Sequence, residues 1–300
     1  MKSSQRLRAF AKINLGLKIL GQRPDGFHEI RTVFQTVTLH DRLEVALSKR
    51  GTGITLECDD ASIPAGRDNL VYRACEVWRS ARKHRGEIRV KLTKRIPAGS
   101  GLGGASSDAA ATLLALERLT GEPMEAAERT RLAAELGSDV PFFLIGGRAL
   151  ASGRGEEIFP LDDLPRRYCL IVFPGFSIST AWAYGEAGRH LARRLTKRRE
   201  VPRIDVLGAR PLFPLQEWGP AENDFERVVF ARWPELARLK RQLIRAGAET
   251  ASLTGSGSAV YALFQSAQEM AQASEVIPRG WQSFRSRTLS RAEYQRRLIQ

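Results

Sequence analysis

Cysteine, histidine and methionine are all scarce here, with three, four and three of them in 300 residues. Cys58, Cys75 and Cys169 are odd in number and form no CxxC pair, and no histidine lies close enough to build a zinc site. Neither a disulfide framework nor a zinc module is therefore expected. The three read as buried thiols of a reducing compartment, and the chain as cytoplasmic. Long apolar runs are missing too: nothing approaches the ~18 residues of a membrane span. Lys12, Asn14 and Lys18 break up the N-terminal apolar stretch, so no signal peptide is expected there. Acidic residues are the minority charge, 33 against 47 basic ones, which leaves a net charge of +14. That balance points to anionic partners (nucleotides, phosphorylated metabolites or nucleic acid) without choosing among them. Much of the charge lies in Arg189–Arg203 and from Arg285 onward. The first run has little aromatic interleaving for base stacking, which favours a solvated loop, and no nucleic-acid partner is expected.

What is present describes a folded α+β chain long enough for two domains. Residues 6–22, 27–38, 42–48 and 53–58 have strand character, with a turn at Arg23-Pro24-Asp25-Gly26. Asp68 is a candidate cap for a helix reaching Lys83, with Leu70, Ala74, Val77 and Trp78 on one face. Strict alternation predicts a strand over 87–93. Helices are expected over 105–119 and from Gly121-Glu122-Pro123 to Leu136, and a strand at 148–152. Glycines 153 and 155 mark a turn and a domain boundary, dividing the chain into 1–153 and 154–300. The second half alternates strands (168–173, 250–254, 259–264, 281–288) with helices (179–188, 223–231, 234–246, 267–276). Residues 189–220 hold basic runs and prolines and read as a long loop or insertion.

The strongest local signal is the run Pro97, Ala98, Gly99, Ser100, Gly101, Leu102, Gly103, Gly104, Ala105, Ser106, Ser107, lying between a strand and an Ala/Leu-rich helix. Glycines let a backbone approach a ligand closely, and bare N–H groups at a helix N-terminus attract an anion. The two serines can donate to phosphate or help hold Mg²⁺. The loop lacks the terminal Gly-Lys-Ser/Thr of a Walker A motif. It also lacks the strand-end acidic residue, roughly 20 positions on, of a dinucleotide fold. His-Arg-Asp and Asp-Phe-Gly motifs of protein kinases are absent. A plain strand–helix turn is the competing reading, and four glycines in the six positions 99–104 weigh against it.

Other residues are ambiguous taken singly. Asp139, in the apolar segment LGSDVPFF, is either a helix cap or a buried functional carboxylate. Lys12 and Asn14 share one face of a strand. The lysine is either a snorkelling edge residue or a buried charge that needs a partner. Phe27 and His28 follow the Pro24 turn, where a core aromatic and a structural histidine are the ordinary readings. Leu253–Ala259 is either a hairpin or a second Gly/Ser loop able to sit beside phosphates.

Taken together, the segments AKINLGLKI, PAGSGLGGASSDAA and LTGSGSAVYALF resemble, in order, the three motifs of the GHMP kinase superfamily. The N-terminal segment continuing through RPDGFHEIRTVFQTVTLHD, together with LGSDVPFFLIGGRALASGRGE, PGFSISTAWAY and Asn223-Asp224, is most similar to one branch of it. Members of that branch phosphorylate the 2-hydroxyl of 4-diphosphocytidyl-2-C-methyl-D-erythritol in non-mevalonate isoprenoid biosynthesis. The resemblance spans residues 8–265. It implies an N-terminal ribosomal-S5-domain-2-like ATP domain, a C-terminal α/β-sandwich substrate domain, and ATP with Mg²⁺. It implies Asp139 as catalytic base, Lys12 as its partner and Pro97–Ser107 as the nucleotide loop. Asn14, Phe27, His28, Thr180 and Tyr184 then fall at the substrate, Phe27 and Tyr184 sandwiching the cytosine and His28 reading its edge. The partner is a small cytidyl diphosphate, with no membrane or protein-held metal; monomer and homodimer are both compatible. Two positions depart from the family pattern: Phe27 stands where tyrosine is common and Ala105 where glycine is common. A homoserine or mevalonate type of kinase is the nearest alternative, and a nucleic-acid-binding protein of S5-like fold the more distant one.

Overall fold

The structure is a computed structural model that describes residues 4–48, 51–197 and 221–299. The part of the basic segment from 198 to 220, expected to be a loop, lies outside the described residues. Two long antiparallel strands dominate the first half: β1 (Ser4–Gln22) and β2 (His28–Ser48) pair from Ser4↔Ala46 to Gln22↔His28. The expected break near residue 40 does not occur. The Asp41 carboxylate in the gap between the two expected strands is buried and accepts the backbone N–H groups of Arg95 and Ile96, so the strand runs on. Along its other edge β2 pairs β4 (Glu87–Thr93) at one end and β5 (Arg148–Ser152) at the other. β3 (Ile54–Cys58) adds in parallel to β4, and β6 (Glu157–Pro160), which sequence patterning missed, adds to β5.

Helices cover this sheet. They are α1 (Leu70–Ala81), α2 (Gly104–Thr120), α3 (Ala126–Leu136) and α4 (Val140–Ile145). The cap of α1 is Asn69, not Asp68: its side chain accepts the Val71 N–H at 2.8 Å. Both residue types cap well, so local chemistry alone did not separate the two neighbours. Trp78, Phe34, Leu116 and Phe142 are among the large side chains of the core beneath.

The second half builds a four-stranded antiparallel sheet. Its strands are β7 (Tyr168–Phe173), β8 (Thr250–Leu253), β9 (Val260–Phe264) and β10 (Gln282–Arg287), in the order β10-β7-β9-β8. α5 (Thr180–Lys197), α6 (Glu226–Arg232), α7 (Pro234–Arg245) and α8 (Ala267–Ala273) accompany it. α5 runs nine residues beyond its expected end. In α7 a proline stands in the first turn, where its missing N–H costs nothing, and Leu236, Leu239 and Leu243 form the buried stripe of an otherwise charged helix.

The two sheets meet in a third apolar cluster. Ala11, Ile13 and Val37 come from β1 and β2, Ile171 and Tyr261 from the second sheet, and Ile96 and Leu102 from the glycine loop's approach. The last helix, α9 (Arg291–Leu298), returns to the first sheet and is capped by a reciprocal Ser290–Glu293 box. Its Tyr294 is buried in the first core and donates to the Phe143 carbonyl. Sequence patterning left this helix unassigned, because its charged composition hides the single apolar edge that packs. Among the described residues no helix is long and apolar enough to cross a membrane.

Tyr294→Ala should empty a fully enclosed site and lower unfolding stability by about 3–5 kcal/mol. A denaturant titration checks this; an unchanged midpoint would mean that α9 contributes nothing to the first core.

Candidate active site

Two glycine loops press together backbone against backbone between the sheets. Gly101 has a φ of +85°, and a Cβ there would lie 2.0 Å from the Thr254 carbonyl oxygen; a Cβ on Gly257 would lie 2.2 Å from Ser100 C. Only residues without side chains allow this approach. The Ala259 N–H donates to the Ser100 carbonyl at 3.1 Å and the Thr254 hydroxyl to the Gly101 carbonyl at 3.3 Å. The Ser100 hydroxyl is turned back onto the Pro97 carbonyl at 2.7 Å and stiffens the turn. α2 begins at the end of this loop. Its cap residue is Gly103, with no capping side chain, so the first N–H groups of α2 stay available to an anion.

Lys12 is held beside this loop, with the residue only 3% exposed. The β1–β2 register shifts between Phe10 and Lys12 and again between Asn14 and Gly16. Such bulges re-aim side chains, and here they bracket the two polar residues. Lys12 Nζ lies 3.5 Å from Asp139 Oδ2 and donates to Asn14 Oδ1 at 2.9 Å. Burial lowers the Lys12 pKa below its ordinary value, against the opposing pull of Asp139. Asp139 occupies the cap position of α4, yet its carboxylate makes no capping bond. It faces Lys12 instead, so the plain cap reading does not hold.

Asn14 is the knot of the site. Its Oδ1 accepts from Lys12, from the Gly255 N–H at 2.8 Å and from the Thr254 hydroxyl at 3.1 Å. Its Nδ2 donates to Thr32 Oγ1 at 2.8 Å, and its carbonyl accepts from Tyr261 Oη at 2.7 Å. The residue is 1% exposed. Its side chain therefore acts on Lys12 and on the second glycine loop.

Beneath the start of α2 lies a second buried charge cluster, with no counterpart in the sequence reading. Lys94 Nζ contacts Asp41 Oδ2 at 2.5 Å and Asp108 Oδ2 at 2.8 Å. Burial opposes the ammonium, but attraction to the two carboxylates outweighs it and holds its pKa above the ordinary value. Burial, assisted by repulsion from Asp41, pushes the Asp108 carboxyl up to about 8 despite Lys94. Two carboxylates sharing one ammonium in a dry site leave an excess negative charge, and a proton on Asp108 removes it.

At the opposite end of the cavity Phe27 is 53% exposed. The Arg154 guanidinium carbon stands 4.8 Å from its ring centroid. His28 stacks on Tyr184 at 5.1 Å, and Tyr184 meets Phe225 edge-on at 4.8 Å. His28 Nε2 is buried with no hydrogen-bond partner, and burial lowers the pKa of the ring. The Thr180 hydroxyl pairs with Ser256 of the second glycine loop at 3.1 Å. One cavity of about 940 Å³ joins all of these to Lys12, Asp139 and the first glycine loop. Every site residue expected from sequence lines it except Ser107, whose hydroxyl is buried in α2 without a partner.

The family models for the GHMP kinases N terminal domain and the GHMP kinases C terminal match residues 69–147 and 213–282. The 4-diphosphocytidyl-2-C-methyl-D-erythritol kinase of Solibacter usitatus is 46% identical over 272 residues, 90% of this chain and 84% of that protein. This chain belongs to the same family of GHMP kinases. A crystal structure of a 4-(cytidine 5'-diphospho)-2C-methyl-D-erythritol kinase, 33% identical, superposes with a TM-score of 0.74 over 94% of this chain and 98% of that one. Homoserine kinase from Cytophaga hutchinsonii shares the fold at 20% identity, with a TM-score of 0.68 over 97% and 96% of the two chains. The two-domain α+β GHMP fold is the one expected. GHMP motifs pointed to the glycine loops and to Lys12, but the Asp41–Lys94–Asp108 cluster has no such signal. Its members are far apart in sequence, and only the turn of the chain before the loop brings them together. Arg154 had a faint one, an arginine between two glycines.

Because the folded Asp108 pKa lies above its ordinary value of 3.8, the native state holds an extra proton between the two values. Stability from this group is complete below the lower value and is lost as pH rises through about 8. Wild-type melting temperature should fall more steeply than that of Asp108→Asn between about pH 4 and 8, the range between the two values. Parallel curves would mean that Asp108 is ionised throughout.

Proposed function

We propose that this chain transfers the γ-phosphoryl group of ATP to the 2-hydroxyl of 4-diphosphocytidyl-2-C-methyl-D-erythritol, releasing ADP. The observation that carries the reading is the single cavity in which a buried Lys12, facing the partly exposed Asp139, lies between a glycine loop with uncapped N–H groups and an exposed aromatic. Phosphoryl transfer depends on positioning and charge stabilisation more than on covalent help from the protein. The Gly99–Gly104 backbone and the α2 N-terminus hold the nucleotide phosphates. Asp139 accepts the proton of the substrate hydroxyl as its oxygen bonds to the γ-phosphorus and the bond to the β-phosphate oxygen breaks. Lys12 keeps Asp139 ionised and stabilises charge developing on the phosphoryl oxygens. Asn14 fixes Lys12 for both tasks.

Mg²⁺, when bound, neutralises phosphate charge in this class of reaction. Ser106, which lines the cavity at the start of α2, is the side chain that fits it here. Among the described residues no group of three or more His, Cys, Asp or Glu side chains could hold a metal ion. At the far end Phe27 supplies a stacking face, and Tyr184 flanks the same space. His28, held against Tyr184 in the cavity lining, reads the edge of the base. Residues 1–153 serve as the nucleotide domain and those from 154 as the substrate domain, with β6 paired into the first sheet and α9 laid back on it. We place the reaction in the cytoplasm. Homoserine and mevalonate carry no base that would use Phe27 and His28.

A coupled ADP-release assay with Mg-ATP tests this against the cytidyl compound, homoserine and mevalonate. Turnover of the cytidyl compound alone is expected. Asp139→Asn should lower kcat by ~10²-fold or more with ATP binding retained; wild-type turnover in that variant would remove Asp139 from its role. Phe27→Ala should raise KM for the cytidyl substrate and leave KM for ATP unchanged. An equal rise in both would make Phe27 a structural residue.

A further inference from the structure

We propose that Arg154 binds the diphosphate of the substrate, and that this residue makes the site select a cytidine diphosphate over cytidine. The inference rests on the cytidyl reading of the cavity given above. It begins with place. Arg154 sits on the hairpin between β5 and β6. One side of it is Phe27, with the guanidinium carbon 4.8 Å from the ring centroid. On the other side is the reacting end: a Cβ on the adjacent Gly155 would lie 3.7 Å from Asp139 Oδ1. In the substrate the diphosphate joins the cytidine to the carbon chain that carries the reacting hydroxyl. With the base on Phe27 and the hydroxyl at Asp139, the diphosphate spans the ground beside Arg154.

Charge points the same way. Among the described residues the lysines and arginines lining the cavity are Lys12, Lys94 and Arg154. Lys12 is engaged by Asp139 and Asn14, and Lys94 by Asp41 and Asp108. Arg154 is held by Glu156 through Nε alone, at 3.2 Å. That contact leaves the two Nη groups, the forked donors that suit phosphate oxygens. A substrate bearing two phosphates needs compensation within the cavity, and this guanidinium can supply it.

The hairpin is built to hold the residue still. The Arg154 N–H donates to Glu156 Oε2 at 2.6 Å, and the Gly155 N–H to the Ser152 carbonyl at 3.0 Å. The Gly153 carbonyl accepts from Ile30 at 2.8 Å, and the Gly153 N–H donates to Glu29 at 3.1 Å. Glu29 is in turn bound by Arg23 at 2.7 Å. The hairpin is thus tied to the start of β2, directly after Phe27 and His28. Stacking on Phe27 orders the guanidinium plane further, so little side-chain freedom is lost when phosphate binds.

The test measures binding of CDP and of cytidine by calorimetry, with the nucleotide loop filled by saturating Mg-AMP-PNP. The proteins are wild type, Arg154→Met and Arg154→Lys. Methionine keeps the apolar stem against Phe27 and removes the charge. Wild type should bind CDP about tenfold or more tightly than cytidine, the size expected for a charged hydrogen-bonding pair. Arg154→Met should lose that preference while keeping its cytidine affinity, and Arg154→Lys should recover part of it. In turnover, Arg154→Met should raise KM for the cytidyl substrate with KM for ATP unmoved. An undiminished CDP preference in Arg154→Met would overturn the proposal. So would an equal loss for both ligands, which would make Arg154 a packing partner of Phe27. If wild type bound neither ligand, the cytidyl reading itself would fall and this inference with it.

Discussion

A lysine ammonium enclosed by protein is stable only if charge and hydrogen-bond partners come to it, and the site is arranged around meeting that demand for Lys12. Asp139 comes from the start of α4, and Asn14 from the same strand two residues on. Asn14 can hold its oxygen there because Thr32 across the sheet fixes its amide and the second glycine loop donates to it. The constraint therefore reaches β1, β2, α4 and the β8–β9 connection at once. Removing any one partner leaves a buried charge or a buried amide short of a bond, which costs more than the lost contact itself.

The same arrangement explains why the two halves behave as one active site. The first glycine loop belongs to the nucleotide half and the second to the substrate half. Their backbones are in van der Waals contact at Gly101 and Gly257, without intervening side chains. Tyr261, from the second sheet, donates to the backbone of Asn14 in the first. Around these polar contacts the third apolar cluster draws residues from both sheets and keeps water out. A low-dielectric boundary of this kind makes the Lys12–Asp139 attraction effective.

Charges are graded along the cavity. Lys94 is neutralised twice over by buried carboxylates and stiffens the entry to α2. Lys12 is paired with one carboxylate, that of Asp139. Arg154, tied only at Nε, is the most open to an anion. Side chains are 4% exposed at Lys12, 9% at Lys94 and 34% at Arg154, so Arg154 is also the most accessible of the three.

The sequence by itself determined the catalogue of parts. Runs of glycine are legible because so few backbones require them, and the Ala/Leu helix behind them is legible by composition. The paired lysine and asparagine in an apolar strand, the carboxylate in LGSDVPFF and the Phe-His turn could be picked out as candidates in the same way. Alternation gave most of the strands. What sequence could not supply was partnership. Asp41 fell in an expected gap between strands until Lys94, Arg95 and Ile96 were seen to bind it, and Asp139 looked like a cap until Lys12 was seen to face it. Asn14 showed none of its partners in the sequence, and α9 had no visible purpose until Tyr294 reached the first core. Each of these depends on groups that are distant along the chain and adjacent in space. Local propensity reports what a residue can do; only the folded chain determines which of its possible partners arrives, because burial makes an unpartnered polar group too costly to leave alone.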